Sequence, residues 1–461
     1  MPEQSKPALD KNPKLINASP TKEFFIYMLT RDIPLTRAIL DLIDNSVDGA
    51  RRMRSNGNFN DLTIRVELDK NHFKIADNCG GIPVDIARNY AFRFGRPKDA
   101  PLTPGSVGQF GVGMKRTFFK LGRHFTVCSA TMTSQFEMDI DVEQWKATDQ
   151  AGKADDWHFE FKTVEEDLSD VPADKIGTRI EISELYESVA ESFALDNFLT
   201  RLKNEMSLAH TLSIDKGLTI TVNTIPLNNE PAKLFISDKL KPAFVEKIYQ
   251  RELLDGKPGL PVTVKLFAGV AERILHEGGW YVFCNGRLVI RADQSAITIW
   301  GQAHDMRQYH PDFAYFRGYA YFDSDDATLL PWTTTKTGVD VDSPIYRSVQ
   351  QEMIELSKPV LTFLSNLEKE RAAVEKGDST DKSLDQAIKS ATAQRTETFQ
   401  ISTKFVAPQP NPIQAGPPMQ KIQYTKPLSE VKKAMKRLNV HTYVAVGEKT
   451  FDYYMEYEGA E

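Results

Sequence analysis

Asp41, Asn45 and Asp48 stand at i, i+4 and i+7 in the stretch Ala38-Ile-Leu-Asp-Leu-Ile-Asp-Asn-Ser-Val-Asp-Gly-Ala50. On a helix that spacing puts all three on one face. The set suits phosphate and metal chemistry. A carboxylate can take a proton from water, and a carboxamide oxygen can ligate Mg2+. Ile39, Leu42, Ile43 and Val47 recur at helical spacing and mark the buried stripe that would hold this face in place. Taken alone, Asp and Asn on a helix are more often simply solvated.

Three further stretches extend the pattern. Phe73-Lys-Ile-Ala-Asp77-Asn-Cys79-Gly-Gly81-Ile82-Pro83 reads as a short strand running into an acid and a Gly-rich turn. Gly105-Ser-Val-Gly108-Gln109-Phe110-Gly111-Val112-Gly113-Met114-Lys115 is a second Gly-rich segment. Its glycines let backbone N–H groups approach anionic oxygens, and a helix starting near Val112 would aim its positive end at them. The phosphate loop GxxxxGK[ST] is absent. Lys175-Ile-Gly-Thr178-Arg-Ile-Glu-Ile182 opens a strand. In this order the four motifs resemble the GHKL ATPase superfamily, which includes gyrase, MutL, histidine kinases, the ninety-kilodalton heat-shock chaperones and MORC proteins.

The resemblance implies an α+β chain: a Bergerat-type ATP-binding α/β sandwich, a mixed sheet with helices on one face, followed by a smaller α/β transducer domain. It implies ATP and Mg2+ as cofactors, with Asn45 as the metal ligand. Asp41 takes the place of the glutamate that activates the attacking water. Aspartate is one methylene shorter, so its carboxylate retracts by about 1.5 Å and a slow rate is expected. Asp44 is a turn-adjacent acid that could substitute as the base, although its side chain is expected to point away from Asn45. Asp77 would accept from the adenine exocyclic amine, which selects adenine over guanine. Cys79 stands where the family pattern Asp-x-Gly-x-Gly has its first glycine. Thr178 would bind adenine beside Asp77. Asp48, Gly81 and Ile82 join the nucleotide contacts. Gly108, Gln109, Phe110, Gly111, Val112, Gly113, Met114 and Lys115 would form the hinge and lid, with Lys115 reaching the phosphates. Leu330-Pro-Trp-Thr-Thr-Thr-Lys336-Thr-Gly338 resembles a transducer loop whose lysine reaches the γ-phosphate, which makes Lys336 the second catalytic candidate.

Composition bounds the rest. With 57 Lys and Arg against 63 Asp and Glu the chain is mildly acidic, so no global basic field draws in nucleic acid. Cys79, Cys128 and Cys284 are too few and too scattered for a disulfide framework and fit a reducing compartment. The polar N-terminus and the lack of a long apolar run point to a cytoplasmic protein with no membrane association. Five segments are expected: a flexible arm over 1–22, the ATP-binding domain over 23–215, the transducer over 216–370, a polar and Pro-rich linker over 371–418, and a small helix-hairpin module over 419–461. Asn285-Gly286 between two apolar runs predicts a hairpin, and Pro359 is expected to kink or break the helix that starts at Pro344. Val440–Val446 and Phe451–Tyr457 read as two strands of a hairpin.

Within the superfamily, Val107–Lys115, Lys120-Leu-Gly122, the Asn285 hairpin and the Lys336 loop look most like a prokaryotic MORC-type branch. That likeness implies an ATP-dependent homodimeric clamp, with residues 1–30 as the exchanged arm. Lys426, Lys432, Lys433, Lys436 and Arg437 give a local basic cluster suited to DNA. Genome surveillance or antiphage defence is the setting the likeness suggests. The alternative is a nucleotide-sensing scaffold that binds ATP without useful turnover and signals to a protein partner through its C-terminal module. A histidine-kinase-like phosphotransfer is a third and weaker reading.

Overall fold

The structure is a computed structural model, and it describes residues 20–95, 97, 104–108, 111–148, 157–250, 259–301, 306–399, 403–411 and 422–458. These fall into two compact units. One holds the residues up to Arg371 together with Lys382–Pro410, and the other holds Ala372–Asp381 together with those from Asn411 on.

The first unit opens with α1 (Lys22–Thr30) and α2 (Leu35–Met53), then β1 (Thr63–Leu68) and β2 (Phe73–Asp77). A short turn, α3 (Val84–Ile86), runs into a π-helical turn over Ala87–Ala91. Next come α4 (Gly113–Leu121), β3 (Gly122–Ala130), β4 (Gln135–Asp141), α5 (Val142–Ala147), β5 (Phe161–Glu165) and β6 (Gly177–Leu185). The helices α6 (Glu187–Phe193), α7 (Asp196–Ala209) and α8 (Thr211–Asp215) lead to β7 (Thr219–Val222) and β8 (Ile225–Pro226). The strands pair in the order β5-β4-β3-β6-β2-β1-β7-β8. The sheet is mixed, because β1 and β7 run parallel while the other neighbours are antiparallel.

Period-two alternation gives this sheet one apolar face. Ile64, Val66, Phe73, Ile75, Phe125, Val127, Ile180 and Ile182 are buried, whereas Arg65 and Glu181, on the opposite face, are exposed. The buried stripes of α2, α4 and α7 share the same core through Ile39, Ile43, Val47, Phe118, Leu121, Leu202 and Met206. The expected α/β sandwich is therefore present. Its boundary differs from expectation, however. β7 and β8 complete the first sheet, so the sandwich runs to Pro226 rather than ending at residue 215. The sequence puts an apolar run there but cannot say which sheet edge it joins.

The second sheet contains β10 (Ala243–Tyr249), β11 (Val262–Val270), β12 (Gly279–Cys284), β13 (Arg287–Asp293) and β14 (Phe316–Asp323), in the order β10-β11-β14-β12-β13. Before it lies β9 (Lys233–Ile236), and after it the long helix α9 (Pro344–Lys376) packs Tyr346, Val349, Met353, Leu364 and Leu367 into the core. The predicted Asn285-Gly286 hairpin joins β12 and β13, with both turn residues at positive φ (44° and 69°), as a tight two-residue turn requires. α9 runs on through Pro359. Pro359 and Glu355 are exposed, so the carbonyl left without an N–H partner can bond water.

The span 371–418 is not wholly a linker. α10 (Ser383–Lys389) buries Leu384 and Ile388, β15 (Thr392–Arg395) pairs with β9, and Thr403 and Val406 bridge to Phe244 and Lys241. Residues 412–418 lie outside the described residues, as do residues 1–19 of the expected arm.

The second unit contains α11 (Leu428–Leu438) and α12 (Tyr443–Tyr457). The hairpin expected from Val440 to Tyr457 is thus a helix. Its aromatic and β-branched residues favour strands, but Thr442 caps α12 by accepting from Ala445 N at 3.2 Å. Among the described residues no helix is long and apolar enough to cross a membrane.

Candidate active site

The site lies where α2 crosses the ends of β2 and β6 and meets the start of α4. Leu42, Asn45, Ser46, Gly49, Asp77, Cys79, Gly81, Ile82, Met114 and Thr178 line one pocket. Asp77 ends β2 and accepts from Ser46 Oγ (2.6 Å), Cys79 N (2.9 Å) and Thr178 N (3.2 Å). Burial raises its pKa, and these donors and Arg52 oppose the rise. Ser129 Oγ lies 2.9 Å from Thr178 Oγ1 and accepts from Ile82 N at 2.8 Å. Ser46 thus joins the pocket wall and Ser129 braces two of its residues from behind; Ser46 lies within the first motif, whereas Ser129 carries no local signal in the sequence.

Cys79 packs against α2 at Gly49. Residue 49 is glycine, and a Cβ there would lie 2.6 Å from Cys79 O and 3.2 Å from Cys79 Cβ. The missing side chain on α2 makes room for the one gained in the turn. Burial pushes the Cys79 thiol up, so it is held protonated.

The acids of α2 divide in function. Asn45 is exposed, and its carboxamide makes no hydrogen bond among the described residues. Asp48 is buried and accepts from Val107 N and Gly108 N, both at 2.7 Å, so its carboxylate clamps the root of the Gly-rich segment. Burial raises its pKa, while Arg51 and the two N–H groups act the other way. Asp41 is paired with Arg116 of α4, and its Oδ1 lies 3.8 Å from Lys336 Nζ.

Asp44 points away from Asn45 and into the second sheet's domain. Its Oδ2 receives Arg287 Nη1 at 2.8 Å and Lys336 Nζ at 2.7 Å. Burial favours the neutral carboxyl, but Arg287, Lys336 and His210 outweigh it and hold the pKa below the ordinary carboxylate value. His210 Nε2 stands 3.5 Å from Asp44 Oδ1, and burial lowers the imidazole pKa to about 3, so it is neutral near pH 7. Lys336 sits at the tip of a turn, at φ 53°, and donates its backbone N–H to Thr333 O at 2.9 Å.

The root of the Gly-rich segment is tied to the second sheet's domain as well. Arg51 donates to both Gly105 O and Asn285 O. Asn285 Nδ2 donates to Ser106 O at 2.8 Å. Val107 is fully buried within the second sheet's core. Gly108, Gly111, Val112 and Gly113 lead into α4, while Gln109 and Phe110 lie outside the described residues. Lys115 does not face the pocket. It is buried and donates to Ala91 O (2.8 Å) and Gly111 O, and burial lowers its pKa to about 7. The expected phosphate contact is therefore replaced by a staple between α4 and the π-turn.

The residues fit a Mg-nucleotide. Asp77 offers a carboxylate to an exocyclic amine. Val112 makes no side-chain cap, so the first N–H groups of α4 remain available to an anion. Among the described residues no cluster of three His, Cys, Asp or Glu forms a metal cage. Mg2+ takes one or two protein oxygens and completes its shell with phosphate and water, and the exposed Asn45 carboxamide offers one such oxygen.

Residues 33–178 match the family model of histidine kinase-, DNA gyrase B- and HSP90-like ATPases. This segment is a GHKL-type ATP-binding domain. The match starts just before α2 and ends on Thr178, so it spans the first three pocket motifs, reaches the threonine of the fourth, and stops short of Arg287 and Lys336. Comparison with curated proteins gives no match.

Proposed function

We propose that this chain is a slow Mg-dependent ATPase whose second domain senses the γ-phosphate. The observation that carries the reading is Lys336, which reaches from the second domain to lie between Asp41 and Asp44 on α2. Asp77, Thr178, Gly81, Ile82 and Met114 would hold adenine. Asn45 would hold Mg2+, which when bound neutralises phosphate charge. Gly108, Gly111, Val112 and Gly113 would bring backbone N–H groups to the phosphates. Asp41 would take the proton from the attacking water, and Lys336 would stabilise negative charge as the γ-phosphoryl group leaves.

The proposal extends to a MORC-like homodimeric clamp that closes when ATP binds. What supports it is the attachment of the lid root to the β12–β13 hairpin through Arg51, Asn285 and Val107. DNA is the proposed cargo and antiviral defence the proposed setting. The exposed Lys432, Lys433, Lys436 and Arg437 of α11 support a phosphate-binding surface. A non-hydrolysing scaffold is the second reading, and the observation that favours it is the short aspartate at position 41 where a glutamate would reach the water. Measuring ATP turnover and dimer mass in wild type and Lys336→Ala tests the reading. Turnover with ATP-dependent dimerisation supports it. Tight ATP binding with neither leaves the scaffold.

A further inference from the structure

One close contact is not used by this mechanism. Arg116, in the first turns of α4, donates from Nη2 to Asp41 Oδ2. Only 12% of the arginine side chain and 5% of the aspartate side chain reach solvent, so the pair is shielded from competing water. The other carboxylate oxygen, Oδ1, faces Lys336 Nζ at 3.8 Å. α4 comes this close because residue 113 is glycine. A Cβ there would lie 3.0 Å from Asp41 Cγ. The two oxygens of Asp41 are therefore unequal: Oδ2 is held from its own domain, and Oδ1 is turned toward the lysine of the second domain.

We propose that Arg116 is a positioning residue for Asp41. This rests on the ATPase reading above and deepens it. A short aspartate carboxylate can rotate either oxygen forward, and a bound guanidinium removes that freedom. In the step, the water oxygen bonds to the γ-phosphorus as the bond from phosphorus to the bridging oxygen of ADP breaks. The water proton passes to Asp41 Oδ1, and ADP and phosphate result. Arg116 transfers nothing. It keeps Oδ2 fixed so that Oδ1 meets the water.

The test compares wild type, Asp41→Asn, Arg116→Gln, Arg116→Lys, Asp41→Glu and the double variant Asp41→Glu/Arg116→Gln. Four quantities are read with Mg2+ present: kcat and KM for ATP, affinity for a fluorescent ATP analogue, and Tm. Loss of positioning in Arg116→Gln is expected to lower kcat by about 100-fold, the scale of a 1 Å misplacement. KM and analogue affinity are expected to stay within about twofold, because Arg116 would act on the base and not on bound nucleotide. Arg116→Lys is expected to recover part of the loss. In the Asp41→Glu background the longer carboxylate reaches the water unaided, so Arg116→Gln is expected to cost less than about threefold. An unchanged kcat in Arg116→Gln overturns the proposal, and a raised kcat overturns it in favour of a restraint on the base. An equal loss in both backgrounds overturns it too. If Arg116→Gln does not fold, Arg116→Lys measured in both the Asp41 and the Asp41→Glu backgrounds decides on the same terms. Wild type no faster than Asp41→Asn brings down the ATPase reading itself. A turning wild type that is indifferent to Arg116 brings down only this inference.

Discussion

Lys336 Nζ and Asp44 Oδ2 meet at 2.7 Å across the junction of the two sheets, on the oxygen that Arg287 also reaches. Asp44 is completely buried, so one carboxylate holds two cations of the second domain against α2. Asp44→Asn strands both cations in a dry site and is expected to cost about 3–5 kcal/mol of stability, read by urea denaturation. Lys336→Met in that background is expected to return part of the loss, because one of the stranded charges is gone. Strict additivity of the two substitutions would contradict the coupling.

The Gly49–Cys79 contact makes a packing prediction. Gly49→Ala drives a methyl group against Cys79 O, a backbone atom that can yield only if the turn after Asp77 moves. It is expected to destabilise the fold by about 1–3 kcal/mol and to weaken ATP binding. Cys79→Gly is expected to soften the penalty by removing the second contact. Denaturation and an ATP titration on the single and double variants check both points.

Asp77 should govern base choice. Asp77→Asn keeps the shape but replaces a carboxylate oxygen with an amide, and it disturbs the donors from Ser46, Cys79 N and Thr178 N. ATP affinity is expected to fall by about 10- to 100-fold, the scale of a charged hydrogen bond. The preference for ATP over GTP is expected to shrink. Calorimetric titration with both nucleotides measures each.

His210 gives a pH prediction. Its folded pKa, about 3, lies below the ordinary imidazole value, so the unfolded chain binds the extra proton first as pH falls. Stability from the neutral buried ring is complete above about pH 6.5 and is lost progressively as pH falls toward 3. His210→Gln is expected to flatten the stability profile between pH 7 and pH 5. An equally steep profile in the variant would show that His210 does not carry this acid sensitivity.

The pattern on α2 was legible because helical period alone fixes which residues share a face. It placed Asp41, Asn45 and Asp48 together and turned Asp44 away from Asn45. It could not say what Asp44 meets, since Arg287 and Lys336 lie 243 and 292 residues along the chain. The clamp on Asp48 was equally hidden, because its partners are backbone N–H groups that exist in every residue. Lys115 and Arg116 are neighbours in sequence, and the phase of α4 against α2 decides which one reaches Asp41. That phase depends on packing around Gly113. The place of β7 was hidden for a similar reason: a parallel pairing such as Thr63 with Thr219 has no local signature. In α12 strand propensity lost to a capped helix.

The most direct measurement is single-turnover ATP hydrolysis with Mg2+ in wild type, Asp41→Asn and Asn45→Ala, with nucleotide binding read alongside. The proposed mechanism predicts that Asp41→Asn keeps ATP binding and loses turnover by at least about 100-fold, while Asn45→Ala loses Mg-dependent binding. Wild-type turnover indistinguishable from that of Asp41→Asn, with tight binding in both, would contradict it and leave a protein that senses ATP without hydrolysing it.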